Sequence, residues 1–250
     1  PRRAAEVPAG DERAADLLDQ IPELKTLQDV PHHYEIVDGP AERASLIGRL
    51  AQVDSLSLDL ETSSLNPKTC GIIGLAICLE PHSGFYLPLP EDRDATLRVL
   101  EEFRIPLFEN PDIEKVGHNI KFDLVTLLWH GIGLRGRLVD TMIAAHLAVP
   151  DMRRSLDYLA QALLGYRPIP IAELIGEKGT ERKSMRDVPL KQLCEYAVED
   201  ADIALQLSLL LRQKLVETDQ VRVFEEVEAP LIPVLGAMEF VGIRVDPDCL

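Results

Sequence analysis

Three short stretches place polar, chemically capable side chains inside otherwise apolar sequence. In "LSLDLET" (56–62), Asp59 and Glu61 alternate with Leu58 and Leu60, so the two-residue period of a strand puts both carboxylates on one face. In "GHNIKFD" (117–123), Asn119 and Asp123 stand four apart and share the face of a helix. In "YAVEDADIALQL" (196–207), the same spacing joins Tyr196 to Asp200, near the apolar side marked by Leu193, Ala197 and Ala204. Glu199 and Asp202 are expected nearer the solvated side. Each stretch alone is commonplace: D-x-E ends many surface strands, and an Asp early in a helix suits the helix dipole. Together they bring four carboxylates to apolar surroundings. Such groups repel one another and resist ionisation. Hard divalent cations, which select carboxylate oxygens, offset that charge. Two of them about 3.5–4 Å apart clamp an in-line displacement at phosphorus. No P-loop, G-x-S-x-G or H-E-x-x-H motif offers a competing chemistry.

The elements that must position these residues follow from the hydrophobic periods. "YEIV" (34–37) reads as a strand and "AERASLIGRLAQ" (41–52), behind Pro40, as an amphipathic helix. The acid-bearing strand, "GIIGLAICLE" (71–80) and "GFYLPL" (84–89) are joined by short connections that predict an antiparallel meander. A helix over "DATLRVLEEFRIPLFE" (94–109), a short strand "KVG" (115–117) and a helix over "NIKFDLVTLLWHG" (119–131) come next. From "VDTMIAAHLAV" (139–149) onward the pattern is almost wholly helical, broken at Pro150 and between Gly165 and Pro170, with a long helix from about Leu190 to Val216. The segment "IGEKGTERKSMRDVP" (175–189) reads as a basic loop whose Lys178, Arg182, Lys183 and Arg186 could attract phosphate. Strands followed by helices that pack on them indicate an α/β class.

Composition bounds the reading. At 250 residues, with 46% hydrophobic and 27% charged side chains, the chain has the make-up of a soluble protein with a full core. A net charge of −16 argues against nucleic-acid binding by bulk electrostatics and leaves open contact with phosphates through metal ions. Cys70, Cys78, Cys194 and Cys249 form no C-x-x-C pair and no Cys/His cluster, which fits a reducing, cytoplasmic setting and argues against zinc. There is neither a secretory signal nor an apolar run long enough for a membrane span. Residues 1–33 read as a linker. A start at Pro1 and an end at "GIRVDPDCL", where a new element begins, read as a fragment.

"DLETSSL", "GHNIKFD" and "YAVEDAD" resemble the three motifs of the DEDD 3′–5′ exonuclease superfamily, in the subgroup with a tyrosine in the third motif. "LRGRLVDTMIAAHL", "SLDYLAQALLG" and "EVEAPLIPVLGAMEFVGIRVD" extend the resemblance, over about residues 34 to 250, to the bacterial DNA polymerase I family of the Klenow type. The resemblance implies a ribonuclease H-like fold, a mixed five-stranded sheet flanked by helices with a mostly helical C-terminal half. It implies a proofreading exonuclease domain at 34–217 and the start of a polymerase domain at 218–250. It implies two divalent ions, Mg²⁺ or Mn²⁺: Asp59, Glu61 and Asp200 for one, Asp59 and Asp123 for the other. Tyr196 would orient the attacking water. Leu65 would wedge beside the terminal base, and Thr62 and Asn119 would contact the last nucleotide. His118 stands where the family often has Gln, and is expected to position substrate rather than bind metal. A phosphate-contacting arginine falls at Arg153 or Arg154. Ile171 stands nearest the place where the family presents an aromatic to the DNA end. The implied partners are a single-stranded or frayed DNA 3′ end and the polymerase domain of the same chain, with no membrane and a monomeric state. A ribonuclease D-like exoribonuclease and a catalytically silent scaffold are the rival readings.

Overall fold

Leu56, Leu58 and Leu60 project from one face of their strand, and Ser57, Asp59 and Glu61 from the other; this alternation sets the layering of the molecule. In the computed structural model, which describes residues 24–176, 183–246 and 249, the strands are β1 (His33–Ile36), β2 (Ser55–Thr62), β3 (Ile72–Glu80), β4 (Ser83–Pro88), β5 (Glu114–Gly117) and β6 (Leu138–Asp140). The helices are α1 (Pro40–Leu50), α2 (Arg93–Phe103), α3 (Ile120–Trp129), α4 (Thr141–Ala148), α5 (Leu156–Leu159), α6 (Ile171–Ile175), α7 (Leu190–Glu217), α8 (Val221–Val223) and α9 (Ala229–Val241).

The strands make a mixed sheet in the order β1-β4-β3-β2-β5-β6. The β2-β3-β4 meander is antiparallel, as expected, whereas β5 runs parallel to β2, β6 to β5 and β1 to β4. Among the described residues the sheet therefore has six strands rather than five. Leu138–Asp140, which the sequence places in the helical half, is a strand of three residues. It is too short to show a period and runs directly into α4, whose N-cap is Asp140.

The leucine face of β2 packs with Leu46 and Leu50 of α1, Leu100 and Phe103 of α2, and Leu124 and Leu127 of α3. Each fully buried leucine contributes about 1.5–3 kcal/mol, so this face holds β2 in place despite the acids on its other side. That other side meets α7. Ala197 and Ala201 of α7 are fully buried, and the Ser57 hydroxyl donates to the Ala201 carbonyl at 2.7 Å. Small side chains and one direct hydrogen bond let the helix lie close on the strand.

Within the segment expected as a linker, residues 1–23 lie outside the described residues, and the rest is docked. The Lys25 N–H donates to the Gly165 carbonyl at 3.0 Å, the Arg167 N–H donates to the Lys25 carbonyl at 2.8 Å, and Leu27 is buried. At the other end, α9 lies against α3. Ile232 enters the main core, Lys121 pairs with Glu239, and the Trp129 and Phe240 rings sit 4.7 Å apart. All four cysteines are free. Among the described residues no helix is long and apolar enough to cross a membrane.

Candidate active site at the ends of the parallel strands

Parallel strands β2, β5 and β6 end side by side, and ligand sites in open α/β sheets form beyond such carboxyl ends. Here those ends carry Asp59, Glu61 and Thr62, then His118 and Asn119, then Asp140. A register shift between Glu61 and Thr62 marks a bulge, a device that re-aims side chains beside functional sites. The backbone N–H of Leu60 donates to the Asp123 carboxylate at 3.1 Å, which fixes the second acidic stretch against the first. From above, α7 lowers Tyr196 and Asp200 toward them, and the charge of Asp200 acts on the Tyr196 hydroxyl. The four acids and Tyr196 are thus brought together.

Glu61 and Asp123 are buried. Asp59 and Asp200 keep some surface open although protein surrounds them densely, which describes the floor of a cleft. Burial pushes the Asp59 carboxyl up to about 6. Glu61, Asp123 and Asp200 are pushed well above the usual carboxylate range, first by burial and then by the charge of Asp59. Glu61 adds to the shift on Asp200, while the Leu60 N–H partly relieves Asp123. Tyr196 is raised by burial and by Asp200, Glu61 and Asp59. The charges that act most on these acids are one another's. Among the described residues no three His, Cys, Asp or Glu side chains stand ready to hold an ion as they are. In donor chemistry the cleft fits a divalent cation, with oxygen ligands only and an uncompensated negative charge.

The remaining expected residues lie at the ends of β2 and β5, on the loop after β2, ahead of α5 and at the start of α6. Asn119 is exposed and adopts the left-handed conformation (φ 61°, ψ 42°) just before α3. Its backbone N–H donates to Asp140 at 3.1 Å, and such held strain gathers at functional sites. His118 shares a 2.9 Å hydrogen bond between Nδ1 and the Thr141 hydroxyl, and burial lowers the imidazole to about 4, so it is neutral at pH 7. The Thr62 hydroxyl donates to the Ser64 carbonyl at 3.0 Å. Leu65 is 91% exposed on the loop after β2, which excludes a core role. Arg153 is exposed ahead of α5, and Asp157 of α5 acts on Asp200, so this segment borders the cleft. Ile171 is 41% exposed at the start of α6.

Two expectations are overturned. Glu199 and Asp202 are buried, not solvated. Glu199 accepts from the Tyr166 hydroxyl at 2.5 Å and the Ile169 N–H at 2.7 Å. Asp202 accepts from the Tyr34 hydroxyl at 2.8 Å and the His82 N–H at 3.0 Å. Because α7 is covered on more than one side, its acids serve as ties between elements. Arg186 is not available to phosphate: its guanidinium donates to the carbonyls of Leu89, Ile72 and Pro90. Lys178 and Arg182 lie outside the described residues. Sequence reasoning missed Asp140, which caps α4 and supports Asn119; the acid directly before "TMIAAHLA" was the available signal. A cavity of about 590 Å³ beside Arg167, Gln192 and Glu195 contains none of the acids.

Comparison with known proteins gives a concordant result. Residues 34–216 match the family described as 3′–5′ exonuclease. DNA polymerase I of Chloroflexus aurantiacus is 34% identical over 225 residues, covering 88% of this chain and 24% of the relative. DNA polymerase I of Pseudomonas aeruginosa is 33% identical over 230 residues, covering 87% and 25%. The chain thus spans about a quarter of the length of these relatives. Among solved structures, Brucella melitensis NrnC superposes with a TM-score of 0.65 at 19% identity, covering 87% of this chain and 98% of NrnC. NrnC has also been seen with bound Mg²⁺ and bound to pGG. At that identity the likeness shows the fold, a ribonuclease H-like one. With the family match spanning most of its length, the chain belongs to the 3′–5′ exonuclease family.

Proposed function

We propose that this chain is the proofreading region of a bacterial DNA polymerase I. It hydrolyses the terminal phosphodiester of a single-stranded or frayed DNA 3′ end and releases nucleoside 5′-monophosphates. The observation that carries this reading is the meeting of four mutually repelling carboxylates with Tyr196 in one cleft of a 3′–5′ exonuclease family member. The relatives that support it are polymerases. On this reading residues 34–217 form the exonuclease unit and 218–250 the start of the polymerase domain, in a monomeric cytoplasmic protein.

Asp59, Glu61 and Asp200 would hold one divalent ion, and Asp59 and Asp123 a second, Mg²⁺ or Mn²⁺. Such ions, when bound, supply an activated water at neutral pH and stabilise the leaving 3′ oxygen. The Tyr196 hydroxyl, among the acids, would orient the attacking water. Thr62, His118 and Asn119 hold the last nucleotide, Leu65 presses on its base, and Arg153 meets the backbone phosphate. No covalent intermediate is needed.

The test is Asp59→Asn, an isosteric change that removes one charge. Cleavage of a 3′-labelled oligodeoxynucleotide in Mg²⁺ should be lost while the metal-free protein becomes more stable. The sign follows from linkage. A carboxyl raised to about 6 in the folded chain, from 3.8 unfolded, binds more protons folded than unfolded between those values. Stability therefore falls as pH rises through that window. The gain from Asp59→Asn should be absent below about pH 3.8 and complete above about pH 6. Retained turnover in Asp59→Asn would falsify the reading. Faster trimming of RNA than DNA ends would favour an exoribonuclease, and no cleavage of either by the unaltered chain would leave a scaffold.

A further inference from the structure

Tyr86 sits in the middle of β4 with its side chain fully buried and its hydroxyl without a hydrogen-bond partner. Leaving a buried hydroxyl unpaired is costly, and each such group in a folded protein calls for a reason. Register shows where this one points. Tyr86 pairs with Ala76 of β3, and Ala76 pairs with Asp59 of β2. These three residues form a row across the sheet, with Tyr86 on the face that carries the acids. The ring leans along the sheet onto Gly74. A β-carbon built at Gly74 would lie 2.1 Å from the Tyr86 oxygen and 2.3 Å from Cζ. Only glycine leaves room for this hydroxyl, which explains a glycine inside a central strand.

Gly74 is the cross-strand partner of Glu61. Directly paired β-carbons stand about 4.5–5.5 Å apart, so the Tyr86 oxygen, at the place of the missing Gly74 β-carbon, lies within a side chain's length of Glu61. The rest of its surroundings offers nothing better than the Cys194 thiol, a weaker acceptor than a carboxylate. Ile73, Met185, Val188 and Ala197 pack in the same apolar cluster, and the nearby Arg186 is spent on three carbonyls. The Glu61 charge already acts on the Tyr86 hydroxyl.

We propose that Tyr86 is a positioning residue for the metal site: its hydroxyl donates to one Glu61 oxygen, turning the other toward a divalent ion, and Gly74 is the space that makes this possible. The inference rests on the functional reading above and adds to it a group outside the three acidic stretches. It gives the orphaned hydroxyl a partner once Glu61 turns inward. Partners that orient metal-binding side chains in this way are typically worth about 10–100-fold in metal affinity.

The experiment is Tyr86→Phe in the full 250-residue chain, which removes one oxygen and nothing else. Mn²⁺ binding is measured by calorimetric titration without substrate, and thermal unfolding is measured without metal. Mn²⁺ affinity should fall about tenfold or more, with the metal-free melting temperature unchanged or higher. In Glu61→Gln the same Tyr86→Phe change should have no further effect on Mn²⁺ affinity, since the two groups act as one unit. Mn²⁺ affinity within about twofold of the unaltered chain would mean that Tyr86 merely fills the core, and the inference would be wrong. Asp59→Asn separates the two levels. If it also binds Mn²⁺ normally, the carboxylates are not the metal site and both readings fall. If it loses Mn²⁺ while Tyr86→Phe keeps it, only the role of Tyr86 falls.

Discussion

At the scale of single residues, a leucine near a strand end belongs to the core more often than not, whereas Leu65 is 91% exposed. Asp59 and Glu61 are the opposite case, legible because they interrupt leucines at a visible cost. The loop of Leu65 holds its own shape: the Ser63 N–H donates to the Gly71 carbonyl at 2.9 Å, and the Cys70 N–H donates to the Asn66 carbonyl at 2.9 Å. An apolar side chain held out in water on a firm loop beside the acids is suited to press on a base. Leu65→Ala should therefore change stability by no more than about 0.5 kcal/mol. A buried leucine would cost about 2–5 kcal/mol. Binding of a 3′ single-stranded end should weaken and single-turnover cleavage should slow. Melting temperature and cleavage rate on one purified variant check both halves, and unchanged cleavage would remove Leu65 from the site.

At the scale of elements, legibility followed length and period. The meander and the 28-residue helix α7 were readable because alternation and helical spacing persist over many residues. β6 was not, because three residues carry no period and Asp140 already serves the helix behind it. The burial of Glu199 and Asp202 was also hidden, since a charged pair on a helix ordinarily faces water. Only the partners Tyr166, Ile169, Tyr34 and His82, far away in sequence, bring them inside. What fixes the site at this scale is the close seat of α7 on β2. Ala201 is fully buried, is next to Asp200, and takes the Ser57 hydroxyl on its carbonyl. Ala201→Leu would insert three extra carbons into that contact, and overpacking of this kind typically costs about 1–3 kcal/mol. Displacing the helix also moves Asp200 and Tyr196 from Asp59. Activity per folded molecule should drop together with the melting temperature. Ala201→Gly, which keeps the seat open, should lose about 1 kcal/mol of helix stability but retain cleavage. If Ala201→Leu kept full activity, the helix would not be what sets the distance between the acids.

At the scale of the whole molecule, the net charge of −16 sets how the protein meets a polyanion. A protein that holds DNA through lysines and arginines gains affinity by releasing counterions, and loses it steeply as salt rises. Here the long-range field opposes the approach of phosphates. The basic segment at 175–189 relieves this less than its sequence promised, because Arg186 is bonded to backbone carbonyls of β3 and of the turn after β4. On the proposed function, attraction is local, supplied by cations held at the four acids and by Arg153. A site that draws its substrate through bound cations gains selectivity from this arrangement. On the proposed function, an unpaired 3′ end reaches the ions, while duplex DNA meets the net negative charge of the chain. The chain should therefore bind a long duplex weakly in EDTA at low salt, and bind a 3′ single-stranded end only when a divalent ion is present. Calcium, if it supports binding without turnover, would allow both to be measured by fluorescence anisotropy. Tight duplex binding in EDTA, with a steep fall as salt rises, would show that phosphate contacts lie on a cationic surface outside the cleft.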